Sequence, residues 1–255
     1  MHIEGVSAVV TGGSSGLGAA TCRELAGAGA RVAVLDVDET EGARVACEVG
    51  GVFCTCDVGD EASAIAAFEA AAAANGAARI LVNCAGIGPM ARLFRRSGLH
   101  SIELFEQIMR VNATGTFNCV RLAAAAMAKL EPTDSGDLGV IINTASVAGL
   151  EGTQGAVAYS ASKSAVAGMT LPLARELAEH HIRVVAIAPG AFDTPMYSAI
   201  DAQATERMLT DVLSPKRLGR PEEFAKFARH IVENQMLNGE IIRLDAGIRM
   251  AARYV

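Results

Sequence analysis

The sequence has no long hydrophobic run and no excess of basic residues. Its longest alanine-rich stretch, near residues 70–74, is much shorter than the ~18 apolar residues of a membrane-spanning helix. Acidic residues outnumber basic ones by 28 to 22, which gives a formal net charge of −6 at pH 7. Because a nucleic-acid-binding surface needs a basic excess, we expect neither a nucleic acid nor a membrane as a partner.

Metal-ligand motifs and targeting segments are also lacking. The six cysteines include no C-x-x-C pair and the five histidines no H-E-x-x-H motif, so we expect no metal site. We interpret the cysteines as small, buried hydrophobic residues in a reducing compartment. The chain begins with neither the charged and apolar regions of a secretory signal nor an arginine-rich leader, which predicts cytoplasmic localisation.

Short apolar segments alternate with helical patterns along the chain. The 255 residues fit a single α/β domain, and the continuous apolarity of the short segments is typical of strands covered on both faces. The alternation predicts a doubly wound parallel sheet of about seven strands flanked by helices. The predicted strands are 6–11, 31–35, 52–56, 80–83, 140–143, 184–188 and 241–244, and the predicted helices are 16–29, 39–49, 60–75, 101–130, 157–180 and 221–233.

Three segments, 86–100, 131–138 and 192–219, are the least regular. The last is the longest, and it mixes polar and apolar residues after the sixth predicted strand. A surface loop is one interpretation, but we favour a substrate lid at 192–219. The apolar residues that would cover an acyl group are Met196, Tyr197, Ile200, Met208, Leu209 and Leu213.

A glycine-rich segment, Thr-Gly-Gly-Ser-Ser-Gly-Leu-Gly at 11–18, separates the first predicted strand from the first helix. The backbone amides at the start of a helix favour a pyrophosphate. Gly12 would allow a tight turn, Gly16 a close approach of the phosphates, and Gly18 close packing of the helix on the sheet. An ordinary glycine turn is the alternative, but the strand before and the helix after favour a dinucleotide site.

Asp36 follows the second predicted strand, eighteen residues after Gly18. A carboxylate at this position accepts hydrogen bonds from the adenosine ribose hydroxyls. It would repel the 2′-phosphate of NADP, and residues 37–40 contain no arginine or lysine to offset that repulsion. By itself Asp36 could be a turn or cap residue. After the glycine segment it predicts NAD as the cofactor.

Ser146, Tyr159 and Lys163 form the candidate catalytic set. Tyr159 and Lys163 are four residues apart in a helical pattern and therefore share a helix face, and Ser146 follows a predicted strand. A tyrosine with its ordinary pKa near 10 is a poor base at neutral pH. A lysine ammonium nearby would lower the pKa of Tyr159, and Ser146 would hold the substrate oxygen beside the phenol.

Each of the three residues also has a purely structural interpretation: a half-buried aromatic, a solvated helix face and a turn. Their joint occurrence with the glycine segment and Asp36 resembles the short-chain dehydrogenase/reductase family over essentially the whole chain. The resemblance implies one Rossmann-like, NAD-binding domain, 1–255, that interconverts secondary alcohols and ketones. Besides those residues, the motifs that carry it are Asp57-Val58, Asn83-Cys84-Ala85-Gly86, Asn112, and Pro189-Gly190 with Thr194.

The resemblance also implies a role for further residues. Ser15 and Leu17 are implied to lie in the phosphate loop. Asp57 and Val58 are implied to contact the adenine. Those implied to line the cofactor elsewhere are Asn83, Cys84, Gly86 and, at the carboxamide, Thr194. Asn112 would hold a proton-relay water near Lys163.

Within the family, the stretches 139–148, 168–172 and 217–245 resemble members that act on short-chain 3-hydroxyacyl-CoA, a small-molecule substrate. A 3-oxoacyl carrier-protein reductase or a hydroxysteroid dehydrogenase is the enzymatic alternative. Such reductases usually use NADPH, and Asp36 disfavours NADPH binding. A non-catalytic NAD-sensing or scaffold protein is the alternative of another class. Arg92, Arg95 and Arg96 would meet CoA phosphates, or form a solvated loop face.

A homotetramer is also expected. The predicted helices 101–130 and 157–180 carry small and apolar residues suited to pairing between subunits. The ending 241–250 resembles the strand and tail that pair across a second interface in this family. Burial within the subunit is the alternative for both. The helix residues concerned are Ala123 to Ala126, Val166, Met169 and Leu173.

Overall fold

A computed structural model describes residues 1–95, 98–198 and 202–252. Within these ranges seven parallel strands form one sheet, and the sequence-predicted strands are all present within two residues of their expected ends. The chain adds strands outward from β1 on one side and then returns to its other side, so the doubly wound Rossmann-like fold is confirmed. In spatial order the strands are β3 (Val52–Thr55), β2 (Arg31–Asp36), β1 (Ser7–Thr11), β4 (Ile80–Asn83), β7 (Gly139–Thr144), β8 (Ile182–Pro189) and β9 (Ile241–Leu244).

Helices cover both faces of this sheet, which explains why its strands are apolar throughout. Side chains alternate between two cores: Val10 packs in one with Leu25 and Phe224, whereas Val9 packs in the other with Val120. The helices are α1 (Gly16–Gly27), α2 (Glu39–Glu48), α3 (Glu61–Asn75), α4 (Ile102–Met109), α5 (Gly115–Met127), α6 (Val147–Leu150), α7 (Val157–Leu177), α8 (Pro195–Ser198), α9 (Ala202–Thr210) and α10 (Pro221–Glu233).

The predicted helix 101–130 is interrupted in the middle. A π-helical turn, Arg110–Thr114, separates α4 from α5. The hydroxyl of Thr116 donates to the carbonyl of Asn112 at 2.7 Å, and the Asn112 side chain turns away to another segment. Single π-helical turns of this kind are frequent at functional sites.

The least regular segments contain short elements that the sequence did not predict. A hairpin of two-residue strands, β5 (Phe94–Arg95) and β6 (Gly98–Leu99), lies within 86–100, and α8 and α9 lie within 192–219. Leu93, Phe94 and Leu99 are 60 to 76% exposed. Arg96 and Ile200, two residues that the sequence analysis singled out, lie outside the described residues.

The expected outward face of the two long helices needs correction. Ala123, Ala124 and Val166 are buried within the chain because they face the sheet and its neighbouring helices, whereas Ala125 is exposed and Ala126, Met169 and Leu173 are half-buried. The exposed large apolar residues of α5 and α7 are Phe117, Val157 and Leu171. The expectation for cysteines also fails at one position, since Cys47 is exposed on α2. Among the described residues, no helix is both long and apolar enough to cross a membrane.

At the edge of the sheet away from the glycine segment, Arg183 joins β8 to the end of α10. Its side chain is 6% exposed and donates to the carbonyls of Ile231, Val232 and Leu237, each at 2.9 Å. A longer bond of 3.3 Å reaches the carbonyl of Asn234. These carbonyls belong to the last turn of α10 and the segment after it, so one buried guanidinium caps that helix.

Candidate active site

A cavity of about 400 Å³ opens at the carboxyl ends of the strands, where open α/β sheets bind ligands. It brings the glycine segment, the end of β2 and the candidate catalytic residues into one space. The sequence-predicted residues that line it are Gly12, Ser15, Gly16, Leu17, Asp36, Asp57, Val58, Cys84, Gly86, Ser146, Tyr159, Lys163 and Thr194. Gly18, Asn83 and Asn112 lie behind its wall.

The glycine segment is packed too closely for side chains. A Cβ atom at Gly18 would lie 2.0 Å from the carbonyl oxygen of Gly12, and one at Gly12 would lie 2.6 Å from the amide nitrogen of Ala85. Gly12 also has a positive φ of 65°. No side chain caps the start of α1, so its first amides are left for an anionic group at the cavity. This cradle fits the pyrophosphate of a dinucleotide.

Asp36 is fixed at the cavity by a partner that the sequence analysis missed. Ser14 donates to its Oδ2 twice, from the amide at 3.0 Å and from the hydroxyl at 2.6 Å, and the amide of Asp38 donates to Oδ1 at 3.1 Å. The neighbouring Val37 is 64% exposed and also lines the cavity. The carboxylate is therefore oriented beside an apolar residue, in a place that offers no compensating cation from residues 37–40.

A second missed residue, Arg110, lines the same end of the cavity. Its Nη1 lies 3.0 Å from Oδ2 of Asp57, and the amide of Gly59 donates to Oδ1 of that carboxylate at 2.9 Å. The partners are 53 positions apart, and an arginine on a helix carries no local signal for such a contact.

Ser146, Tyr159 and Lys163 meet at the other end. Ser146 is the N-cap of α6, and its hydroxyl accepts from the amide of Ala148 at 3.1 Å. Lys163 is buried on α7, its Nζ donates to the carbonyl of Thr144 at 2.7 Å, and it lies 5.9 Å from the centre of the Tyr159 ring. The structure thus brings the predicted set together on the cavity wall.

The expected lowering of the Tyr159 pKa by Lys163 is not found. Burial raises the pKa of Tyr159 above its ordinary value, and the hydrogen bond with Ser146 acts in the opposite direction. Burial also lowers the pKa of Lys163 to about 8. In the protein alone, burial is therefore the dominant influence on the pKa of Tyr159.

Asn83 and Asn112 hold the wall from behind. The amide nitrogen of Asn83 donates to Asn143 at 2.9 Å, which links the carboxyl ends of β4 and β7. The Asn112 side chain accepts from the amide of Ile87 at 2.8 Å and donates to the carbonyl of Ile87 at 2.8 Å and to Ser162 at 3.0 Å. Asn112 thereby joins the segment after β4 to α7, the helix that carries Tyr159.

Cys84, whose thiol lies inside the wall, is shielded from ionisation. The hydroxyl of Thr144 donates to its sulfur at 3.8 Å, and burial raises the pKa of the thiol to about 11. A thiol with this pKa is not a nucleophile at neutral pH, so Cys84 lines the cavity as a small neutral group.

The predicted lid only partly faces the cavity. Met196 and Tyr197 line it, and the sulfur of Met196 lies beside Gly88, next to Tyr159. Three further apolar residues in the described part of the lid do not line it: Met208 is buried in a small core and Leu209 packs against it, while Leu213 is 71% exposed.

Comparison with known proteins places the chain among dehydrogenases. The family model described as short chain dehydrogenase matches residues 7–205. The 3-hydroxyacyl-CoA dehydrogenase type-2 of Rattus norvegicus is 44% identical over 252 residues, which make up 97% of each protein. The solved structure of 3-hydroxyacyl-CoA dehydrogenase type-2 from Mycobacterium avium superposes with a TM-score of 0.92 and 38% identity over 98% of both chains.

A further solved structure carries a nicotinamide cofactor. The 3-ketoacyl-(acyl-carrier-protein) reductase from Brucella melitensis, complexed with NADH, has a TM-score of 0.83 and 31% identity. The match covers 96% of this chain and 98% of that one.

Proposed function

Because the chain belongs to the short-chain dehydrogenase family, we propose that it interconverts short-chain 3-hydroxyacyl-CoA and 3-oxoacyl-CoA with NAD. The chain is an oxidoreductase that acts on secondary alcohols and uses a nicotinamide cofactor. The observation that carries the proposal is the cavity itself, in which a phosphate cradle, the oriented Asp36 carboxylate and the Ser146, Tyr159 and Lys163 side chains share one space.

Residues on the glycine side would hold the cofactor. The amides at the start of α1, with Ser15, Gly16 and Leu17, would bind the pyrophosphate, and Asp36 would accept from the adenosine ribose hydroxyls. Asp57 and Val58 would contact the adenine. Cys84, Gly86 and Thr194 also line the cavity, where Gly86 lies beside Lys163 and Thr194 lies beside Gly16 of the glycine segment.

Tyr159 would accept the proton of the substrate hydroxyl, and Ser146 would hold the same oxygen by a hydrogen bond. When bound, the oxidised nicotinamide supplies a hydride acceptor and a positive charge at this end of the cavity. That charge matters because burial keeps the pKa of Tyr159 high and Lys163 alone does not lower it. Lys163 would return the proton from the phenol toward solvent, along a path that Asn112 borders.

The preference for NAD rests on Asp36. Its carboxylate is fixed by Ser14 and would repel a 2′-phosphate at the same place. We expect Asp36→Ala to weaken NAD binding about tenfold or more, and thereby to narrow the gap between NAD and NADP. Equal catalytic efficiency with the two cofactors in the unmodified protein would contradict the preference.

The acyl-CoA assignment has two supports. The relatives from Rattus norvegicus and Mycobacterium avium are named for this substrate class. Met196 and Tyr197 give the cavity an apolar side next to Tyr159, which suits an acyl chain, whereas a polyol would need several fixed polar partners there. The segment 192–219, which carries both residues, is proposed as the substrate lid.

The deciding experiment compares kcat/KM for 3-hydroxybutyryl-CoA, free 3-hydroxybutyrate, a 3-hydroxyacyl carrier-protein thioester and a 17β-hydroxysteroid, each with NAD. We expect the CoA thioester to be preferred by at least about a hundredfold over the free acid. Tyr159→Phe is the matched control, since it keeps the ring and should lower turnover by about 10²–10⁴ while leaving NADH binding intact. A free acid used as well as the thioester would refute the substrate but not the enzyme class.

We also propose a homotetramer. The exposed Phe117 on α5 and Leu171 on α7 offer apolar surface, and β9 is an edge strand of the sheet. Sedimentation at micromolar concentration tests the assembly, and a monomer would contradict it.

A further inference from the structure

The ion pair between Arg110 and Asp57 lies at the end of the cavity away from the catalytic set. Both side chains line the cavity together with Val58 and Val111. Their side chains are 46% and 39% exposed, and an ion pair that open to solvent adds little to folding stability. A stabilising role therefore does not explain why an arginine stands here.

The position of Arg110 is closely determined. It is the first residue of the π-helical turn, and its aliphatic stem lies over the backbone of Gly59, where a Cβ atom would come within 3.0 Å of its Cγ. The guanidinium then reaches Oδ2 of Asp57, while the amide of Gly59 donates to Oδ1. The carboxylate is thus held from two sides, and each oxygen keeps a lone pair for a further donor.

We propose that Arg110 is a positioning residue that sets Asp57 to accept the exocyclic amine of the cofactor's adenine, and so makes the cavity selective for a 6-amino purine. The inference rests on the proposed dinucleotide function. An ionised carboxylate only accepts hydrogen bonds, so a 6-amino group satisfies it and a 6-oxo group opposes it. A rigid acceptor rejects the wrong base more strongly than a mobile one, because a mobile carboxylate turns away from the mismatch.

The chain offers a matched control for the charge itself. Arg121, on α5, pairs with Glu61 at 2.7 Å and is 39% exposed, but it does not line the cavity. Arg110→Met keeps the stem over Gly59 and removes the guanidinium, and Arg121→Met makes the same change away from the site. Arg110→Lys restores a cation without the planar fork.

The test measures the binding of NADH and of reduced nicotinamide hypoxanthine dinucleotide, the 6-oxo analogue, by fluorescence titration without substrate. In the unmodified protein we expect NADH to bind at least about tenfold tighter than the analogue. Arg110→Met should raise the Kd for NADH about fivefold and leave that for the analogue nearly unchanged, so that the preference falls to about twofold. Arg110→Lys should recover part of it, and Arg121→Met should match the unmodified protein.

A double-variant cycle checks that Arg110 acts through Asp57. Combining Arg110→Met with Asp57→Ala should bind NADH no worse than Asp57→Ala alone. Equal weakening of both dinucleotides by Arg110→Met, or additive effects in the cycle, would overturn the proposal. If the unmodified protein binds neither NADH nor NADPH, the proposed function itself fails; if it binds NADH but Arg110→Met keeps the full base preference, only this inference fails.

Discussion

The two walls of the cavity are built in different ways. The wall on the cofactor side consists of backbone at the carboxyl ends of the inner strands, and at Gly12 and Gly18 a single added carbon would collide with that backbone. The wall on the substrate side is formed in part by the side chains of Met196 and Tyr197, which lie in the short helix α8 on the connection after β8, and Met196 is 40% exposed. Backbone contacts leave no room for substitution, whereas exposed side chains tolerate it.

This difference also separates the two halves of the function. A backbone cradle suits a ligand that never changes, such as a dinucleotide. Side chains carried on connections suit a substrate that differs between related enzymes, since they can be exchanged while the sheet stays the same. Three changes to the chain test how sharply the walls differ.

The largest effect is expected at Gly18. An alanine there would place Cβ 2.0 Å from the Gly12 carbonyl oxygen, so α1 would have to move off the sheet. We expect the free energy of unfolding to fall by more than about 3 kcal/mol and NADH binding to be lost. Urea unfolding and fluorescence titration measure the two quantities.

Gly27 provides the control, because it lies in the same helix and a Cβ atom added to it would have nothing within 4 Å. Gly27→Ala should leave binding unchanged and stabilise the chain by up to about 1 kcal/mol. Equal effects at the two glycines would show that the cradle is not rigid.

An intermediate effect is expected at Lys163, the charged residue buried where the walls meet. Its pKa falls from 10.5 to about 8 in the folded chain, so between these values only the unfolded chain holds the proton and stability rises with pH. Below pH 8 the folded chain carries the full cost of the buried charge, about 3 kcal/mol. A neutral variant at this position avoids that cost. It also loses the hydrogen bond to the Thr144 carbonyl, which offsets about 1 kcal/mol of the gain in stability.

We therefore expect Lys163→Met to be more stable than the unmodified protein by about 2 kcal/mol at pH 7, with the difference shrinking between pH 8 and 10.5. Urea unfolding across this pH range measures it. Turnover should be lost at every pH. A stability difference that does not change with pH would mean that Lys163 is not buried as a cation.

The smallest effect is expected in the exposed hairpin β5–β6. Phe94 is 76% exposed, and Phe94→Ala should change the free energy of unfolding by less than about 0.5 kcal/mol. Phe224, which is fully buried against the sheet, is the matched phenylalanine, and its replacement by alanine should cost about 3–5 kcal/mol. A large loss of stability for Phe94→Ala would show that the hairpin is packed as tightly as the backbone around Gly12 and Gly18.

What could be predicted from the sequence follows the same division. The strands were recognisable because both faces of the sheet are covered, and the glycine segment and the four-residue spacing of Tyr159 and Lys163 are local patterns. The contacts of Ser14 with Asp36 and of Arg110 with Asp57 join residues 22 and 53 positions apart, and no local pattern encodes them. Each is a contact that exists only once the sheet has formed.

Other differences between prediction and structure come from features that sequence periodicity does not show. The period of 101–130 predicts one helix, but a π-helical turn at Arg110–Thr114 interrupts it, next to the hydrogen bond from the Thr116 hydroxyl to the Asn112 carbonyl. The charge of Lys163 was expected to lower the pKa of Tyr159, whereas burial raises the pKa of Tyr159 and lowers that of Lys163. Ala123 and Val166 looked suited to a subunit interface because periodicity does not tell which neighbour a helix face meets.

The buried guanidinium of Arg183 has a consequence for the continuity of the chain. Trypsin acting after the exposed Lys216 would divide the polypeptide into a long piece and a short one that carries α10 and β9. The short piece would still be bound by the bonds from Arg183 to the end of α10, by Phe224 in the core and by the pairing of β9 with β8. A nicked molecule would therefore stay assembled and come apart only in denaturant. The connection that bears the proposed lid can thus be cut or redesigned without disrupting the sheet.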